Sequence, residues 1–189
     1  MIRAIIFDCF GVLASDGWLP YKARYFADNP KLETEATLLN KDADAGRISY
    51  DTFIDKVAQL ANLPEKTARQ QIENNIPDEK LFAYIRTLKP KFKVGMLSNA
   101  SDDWLDEIFT EEQVALFDQI SLSCNTGVIK PDTEAYEIIL KKLDISPNKA
   151  VFVDDQPKYI DGAKQVGLHT ILYANFGQFK QDLEKLVAL

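Results

Sequence analysis

Apolar residues along this chain gather into short runs, separated by longer stretches in which apolar positions recur every three or four residues. The runs are rich in Val, Ile and Phe, and they read as strands of a mostly parallel sheet covered on both faces. Five strands are expected, at about Arg3 to Phe7, Lys93 to Leu97, Gln119 to Leu122, Ala150 to Val153 and His169 to Leu172. Four of them are reached by helical crossovers, the order of βαβ units. The exception is the interval from about Ser15 to Arg86, which holds no convincing strand and several amphipathic helices. There, SYDTFIDKVAQLANL sets Phe53, Ile54, Val57, Leu60 and Ala61 on one face behind Ser49 as N-cap. LPEKTARQQIENNI begins a further helix with Pro64 suited to its first turn. Beyond the interval, SDDWLDEIF predicts a helix with acidic residues in its first turn, PDTEAYEIILKKL one opened by Pro131, and GQFKQDLEKLVAL a terminal one. The fold class is α/β, a doubly wound parallel sheet with a helical insertion.

Composition narrows the class. With 189 residues, 46% of them apolar, the chain can bury a substantial core in one domain with a small appendage. A net charge of −7 argues against general affinity for nucleic acid or an anionic membrane, so neither is an expected partner. The opening MIRAIIFDCF lacks the apolar run of a signal peptide, and no stretch approaches the roughly 20 apolar residues of a spanning helix, so a cytoplasmic protein is expected. Cys9 and Cys124 are too few for a disulfide framework and read as packed thiols. The single His169 excludes a mechanism needing two histidines and reads as structural.

Candidate chemistry lies at the strand ends, where a doubly wound sheet forms its ligand crevice. IIF runs into Asp8, VGML into Ser98 and Asn99, and VFV into Asp154 and Asp155. Any one of these alone reads as a helix cap. Together they would crowd three carboxylates into one crevice, where they repel unless a cation neutralises them. Mg²⁺ suits such a site, because it takes one or two carboxylates, water and phosphate oxygens. Lys130, in CNTGVIKPDTEAY, is placed to lean into the crevice and stabilise a phosphoryl group. Ser98 and nearby backbone amides could hold the remaining phosphate oxygens.

Four ordered strings, AIIFDCFGVL, MLSNAS, GVIKPD and VFVDDQPKYIDGAKQVG, resemble the motifs of the haloacid dehalogenase superfamily across the whole chain. Within the interval, AGRISYDTFIDKV is similar to the branch of α-D-glucose-1-phosphate phosphatase and the phosphatase domain of soluble epoxide hydrolase. The resemblance implies a Rossmann-like core at residues 1–15 and 86–189, with an α-helical cap at 16–85 that selects the substrate. It further implies a Mg²⁺-dependent phosphatase of a small phosphorylated metabolite such as a sugar phosphate, working through an aspartyl-phosphate on Asp8. In that scheme Asp8, Asp155 and the backbone carbonyl of Phe10 bind the metal, with Asp154 in its outer shell or orienting Lys130. Ser98, Asn99 and Lys130 hold phosphate.

The pattern departs from the superfamily at Phe10, where most of its phosphatases carry a second aspartate that transfers protons. Such a group contributes about 10²–10⁴-fold in rate. Asp16 is a conceivable replacement, although it reads first as a hinge or turn residue. Tyr159 stands where related motifs often place a polar side chain. Two alternatives therefore stay open: a metal-free 2-haloacid dehalogenase-like hydrolase, whose members carry an aromatic at the position of Phe10, and a catalytically weak binding protein. The paired acids Asp154 and Asp155 speak against the dehalogenase. Arg24, Lys41 and Arg47 are cationic candidates for substrate contact, though each reads first as a solvated surface residue. Oligomeric state is open.

Overall fold

Five parallel strands, β1 (Ala4–Phe7), β2 (Lys93–Ser98), β3 (Gln119–Leu122), β4 (Ala150–Asp154) and β5 (His169–Leu172), lie side by side in the order β3-β2-β1-β4-β5. The computed structural model describes residues 1–102 and 104–187. Asp103 in the SDDWLDEIF segment, and Ala188 and Leu189 of the GQFKQDLEKLVAL segment, lie outside the described residues. Ala4 stands opposite both Lys93 and Ala150, which puts β1 at the centre of the sheet.

The insertion after β1 forms helices α1 (Trp18–Phe26), α2 (Pro30–Asp44), α3 (Tyr50–Leu60) and α4 (Glu65–Ile72), followed by α5 (Glu79–Leu88). Short helices α6 (Leu105–Ile108), α7 (Glu111–Val114) and α8 (Ser123–Thr126) come next. The longer α9 (Thr133–Leu143), α10 (Pro157–Val166) and α11 (Phe176–Val187) complete the chain. Side chains alternate across the sheet, so its central strands bury both faces. Ile5, Phe7, Val94, Met96 and Val153 pack with α5 and α11 on one side. Ala4, Ile6 and Phe152 pack with α9 and α10 on the other. The doubly wound α/β fold is as expected. No helix among the described residues is long and apolar enough to cross a membrane.

Helices α1 to α4 build a separate core around Tyr21, Phe26, Phe53, Ile54 and Val57. Ser49 caps α3 by accepting a hydrogen bond from the Thr52 amide at 3.2 Å, in line with its sequence position. Leu60 and Ala61 are only half-buried, and the apolar face is completed by Ala58 instead. Helix α5 belongs with the sheet, because Leu81, Phe82, Ile85 and Leu88 join the core of β1 and β2. It packs apart from the core that α1 to α4 share. The two connecting segments run together: Ser15 N donates to Ile76 O at 2.9 Å, Ile76 N to Ser15 Oγ at 2.8 Å, and Asp78 N to Leu13 O at 2.9 Å.

Two local expectations need correction. SDDWLDEIF gives only the four residues of α6, and a capping box at Thr110 and Gln113 starts a new helix soon after. Pro131 precedes α9, whose N-cap is Asp132, and it is joined to Lys130 by a cis peptide bond. His169, read as structural, is exposed at the start of β5.

Candidate active site

Asp8 follows β1 directly, and its amide still pairs with the Val153 carbonyl of β4 at 2.8 Å. The last rung of the sheet therefore fixes where this carboxylate leaves the core. Ser98 ends β2, Asp154 ends β4, and Asp155 is the next residue. Parallel strands in register bring all four to one edge.

Lys130 reaches that edge from the loop between α8 and α9. Asn99 holds the loop with both ends of its amide: Lys130 N donates to Asn99 Oδ1 at 2.8 Å, and Asn99 Nδ2 donates to Lys130 O at 3.1 Å. Two bonds to one residue's backbone extend the sheet's pairing beyond its strands. They tie the Asn99 side chain to the Lys130 backbone. On the far side, Gly162 of α10 admits the same loop, since a Cβ there would stand 2.7 Å from the Pro131 carbonyl oxygen.

The Lys130 ammonium lies 2.6 Å from Asp8 Oδ1 and 2.7 Å from Asp154 Oδ2, and the residue is only 2% exposed. Its Nζ also sits 4.6 Å from the centroid of the Tyr159 ring, so the aromatic at that position shields the cation. Burial alone would push the ammonium pKa down, but Asp154 and Asp8 outweigh it and hold the group above its ordinary range. Asp154 is fully buried and spends its second oxygen on the Gln156 amide at 2.8 Å. One of its oxygens thus faces Lys130 and the other the Gln156 amide.

Asp8, Asp154 and Asp155 offer oxygens that all lie within 4.8 Å of one another. Three carboxylates against one ammonium leave a formal charge of −2, and a buried site cannot carry that excess cheaply. Burial first, and Asp154 second, raise the Asp8 pKa well above the usual carboxylate range, with Lys130 opposing them. Asp155 is raised by burial as well. A hard cation fits this donor set. Gly11 supports the fit: with φ at +85°, a Cβ there would come 2.6 Å from Asp155 Oδ2, so glycine is what lets the carboxylate close over the loop after Asp8.

A cavity of about 480 Å³ opens above the cluster, floored by Asp8, Ser98 and Lys130 and roofed by the insertion through Trp18, Tyr50 and Phe53. Phe10 stands on its wall, its ring 4.6 Å from that of Trp104. Asp16 Oδ1 accepts hydrogen bonds from the Trp18 and Leu19 amides at 2.7 and 3.1 Å, the work of a turn residue. Of the cationic candidates, Arg24, Lys41 and Arg47 are absent from the lining, and Lys22, Arg69 and Lys158 line it instead. Arg69 is tied to Asp51, Glu65 and Glu73 at 2.7, 3.0 and 3.2 Å. The i, i+4 spacing of Glu65, Arg69 and Glu73 was a signal in the sequence for that cluster. Asp44, at the end of α2, also lines the cavity, and nothing in its local sequence marks it. Cys9 is buried, as expected of a packed thiol, and neither cysteine is in a disulfide.

Residues 2–167 match the haloacid dehalogenase-like hydrolases, and the chain belongs to that family. It is 29% identical to a sesquiterpene phosphatase of Aspergillus oryzae, over 88% of this chain and 87% of that one. It is 31% identical to mouse bifunctional epoxide hydrolase 2 over 67% of this chain, and it spans only 25% of that longer protein. A family enzyme of Bacteroides thetaiotaomicron, solved with magnesium and inorganic phosphate, superposes with a TM-score of 0.72 at 18% identity, covering 95% of this chain and 99% of that one. That likeness shows the fold.

Proposed function

We propose that this hydrolase is a Mg²⁺-dependent phosphatase acting on a small phosphorylated metabolite, with Asp8 as nucleophile. The observation that carries the proposal is the buried cluster of Asp8, Lys130 and Asp154, with Asp155 beside it, at the floor of a cavity roofed by helices. Similarity to a sesquiterpene phosphatase and to a family enzyme solved with magnesium and phosphate supports it. The division proposed is a core that holds the chemistry and a cap of α1 to α4 that selects the substrate.

Asp8 attacks phosphorus, the bond to the alcohol oxygen breaks, and an aspartyl-phosphate forms that water then hydrolyses. Lys130 holds Asp8 in place from one side and offers its charge to the phosphoryl oxygens. Asp154 keeps that ammonium aimed at the floor of the cavity. Ser98, 1% exposed at the end of β2, presents a hydroxyl to the phosphoryl group. Asp8, Asp155 and the Phe10 carbonyl would hold Mg²⁺, which supplies positive charge against the carboxylates and the phosphate. Positioning and charge neutralisation do most of the work in such transfers.

The test is release of inorganic phosphate from a panel of phosphorylated metabolites, with and without Mg²⁺, in wild type and Asp8→Asn. The proposal expects turnover that a chelator and the substitution each abolish. Turnover undiminished in chelator, or halide release from 2-chloropropionate under the same conditions, would overturn it.

A further inference from the structure

Phe10 cannot transfer a proton, so a phosphatase site built on Asp8 needs its acid from elsewhere. The carboxyl groups that line the cavity can be sorted by their setting, and of them Asp102 and Glu107 are exposed to solvent. Asp51 and Glu73 are bound to Arg69. Asp16 accepts two backbone amides. Asp155 belongs to the carboxylate cluster.

Asp44 is placed differently. It is the last residue of α2, where the cap comes down onto the core, and its side chain accepts one hydrogen bond, from Asn40 Nδ2 at 2.9 Å. Its own carbonyl accepts from Ser123 Oγ at 2.5 Å, and Ser123 Oγ accepts from the Ala100 amide at 2.9 Å. Ala100 is two residues beyond Ser98, so the end of α2 is fixed against the loop that floors the cavity. The charged groups that face Asp44 are Lys130 and Lys158 from the core and Asp16 from the cap hinge.

We infer that Asp44 is the general acid and base of this site, reaching from the cap to the oxygen that leaves phosphorus. This rests on the phosphatase reading above. In the first step the Asp8 oxygen bonds to phosphorus, the phosphorus–alcohol bond breaks, and the Asp44 proton passes to the alcohol oxygen. In the second step water attacks phosphorus and gives its proton to the Asp44 carboxylate, while the bond to Asp8 breaks to release phosphate. Protons and charge balance over the cycle, and no co-reactant is needed. The carboxyl suits both steps, because burial pushes it up to about 7, with Lys130 opposing, so both forms exist near neutral pH.

The test compares wild type, Asp8→Asn and Asp44→Asn on two probes in Mg²⁺: the alkyl phosphate turned over fastest in the metabolite panel, and 4-nitrophenyl phosphate. Nitrophenolate leaves without a proton, whereas an alkoxide does not. For Asp44→Asn, kcat/KM on the alkyl ester falls by about 10²–10⁴-fold. On the nitrophenyl ester kcat/KM stays within about tenfold, because only the first step reports there. Both probes share the phosphoenzyme, so kcat falls on both and acid-quenched protein carries trapped phosphate. Wild-type kcat/KM on the alkyl ester declines through about pH 7 relative to the variant. Equal losses on both probes in kcat/KM, or an alkyl-ester rate close to wild type, overturn the assignment while leaving the phosphatase intact. No phosphate release by wild type from either probe overturns both. Thermal melting of Asp44→Asn within a few degrees of wild type, or above it, separates lost chemistry from lost fold.

Discussion

Adding one methyl group at Gly11 is expected to uncouple metal affinity from folding. The Cβ would lie 2.6 Å from Asp155 Oδ2 and 2.7 Å from its Cγ, whereas ordinary contact begins at 3.4 Å. The Asp155 carboxylate must therefore retreat by about 0.8 Å, several times the roughly 0.2 Å tolerance of metal–ligand distances. Disturbing the support of a ligand in this way costs about 10–100-fold in metal affinity, or about 1.4 to 2.8 kcal/mol. The backbone contributes separately: φ of +85° costs a non-glycine residue about 1–2 kcal/mol, which lowers the melting temperature of a domain this size by about 2–8 °C. Gly167→Ala is the control, because φ is +91° there and the new methyl meets only Pro147 Cβ at 3.8 Å. Both variants should melt lower, but only Gly11→Ala should need more Mg²⁺ for half-maximal phosphate release. A wild-type Mg²⁺ requirement in Gly11→Ala, alongside the same loss of stability as the control, would refute the placement of the metal beside Asp155.

Lys130→Met removes the ammonium shared by Asp8 and Asp154 and leaves two buried carboxylates facing each other, a loss of about 3–5 kcal/mol by urea denaturation at neutral pH. Mg²⁺ should restore part of that stability while phosphate release stays abolished, and a variant as stable as wild type without metal would contradict the pairing. Asp44→Asn should stabilise the protein above pH 7, because a carboxyl whose folded pKa is raised from 3.8 to about 7 binds more protons folded than unfolded, so stability drains away as pH rises between those values. The gain should be largest above pH 7 and vanish near pH 4 in denaturation curves. Ser49→Ala removes the N-cap of α3 and should cost about 1 kcal/mol, read as a fall of about 2–4 °C in melting temperature with little change in kcat.

The strands were legible because both faces of a central parallel strand are covered, which leaves an unbroken apolar run such as AIIF or AVFV with a polar residue where cover ends. Asp8, Ser98, Asp154 and Asp155 were legible for the same reason, since parallel strands in register deliver their ends to one edge. What was hidden depends on packing between distant segments. The amphipathic face of α5 looks like those of the cap helices, and only its neighbours assign it to the sheet. Asn99 was legible as a strand-end polar residue, but the pairing of its side chain with the Lys130 backbone 31 residues away was not. Asp44 carried no local mark, because its placement requires α2 to be folded and laid against Ser123, 79 residues further on.

The bond between Ser123 Oγ and the Asp44 carbonyl has a consequence for how the protein breathes. The cap is joined to the core covalently at one side only, where Ser15 and Ile76 run together, and the end of α2 is held across the cavity by this hydroxyl. The arrangement is that of a gate with a hinge post and a catch. A single such bond contributes about 0.5–1.5 kcal/mol, so the catch biases shut over ajar by about twofold to tenfold and no more. Ser123→Ala should quicken hydrogen exchange in α2 by the same factor, and it would also release the Ala100 amide of the loop that floors the cavity.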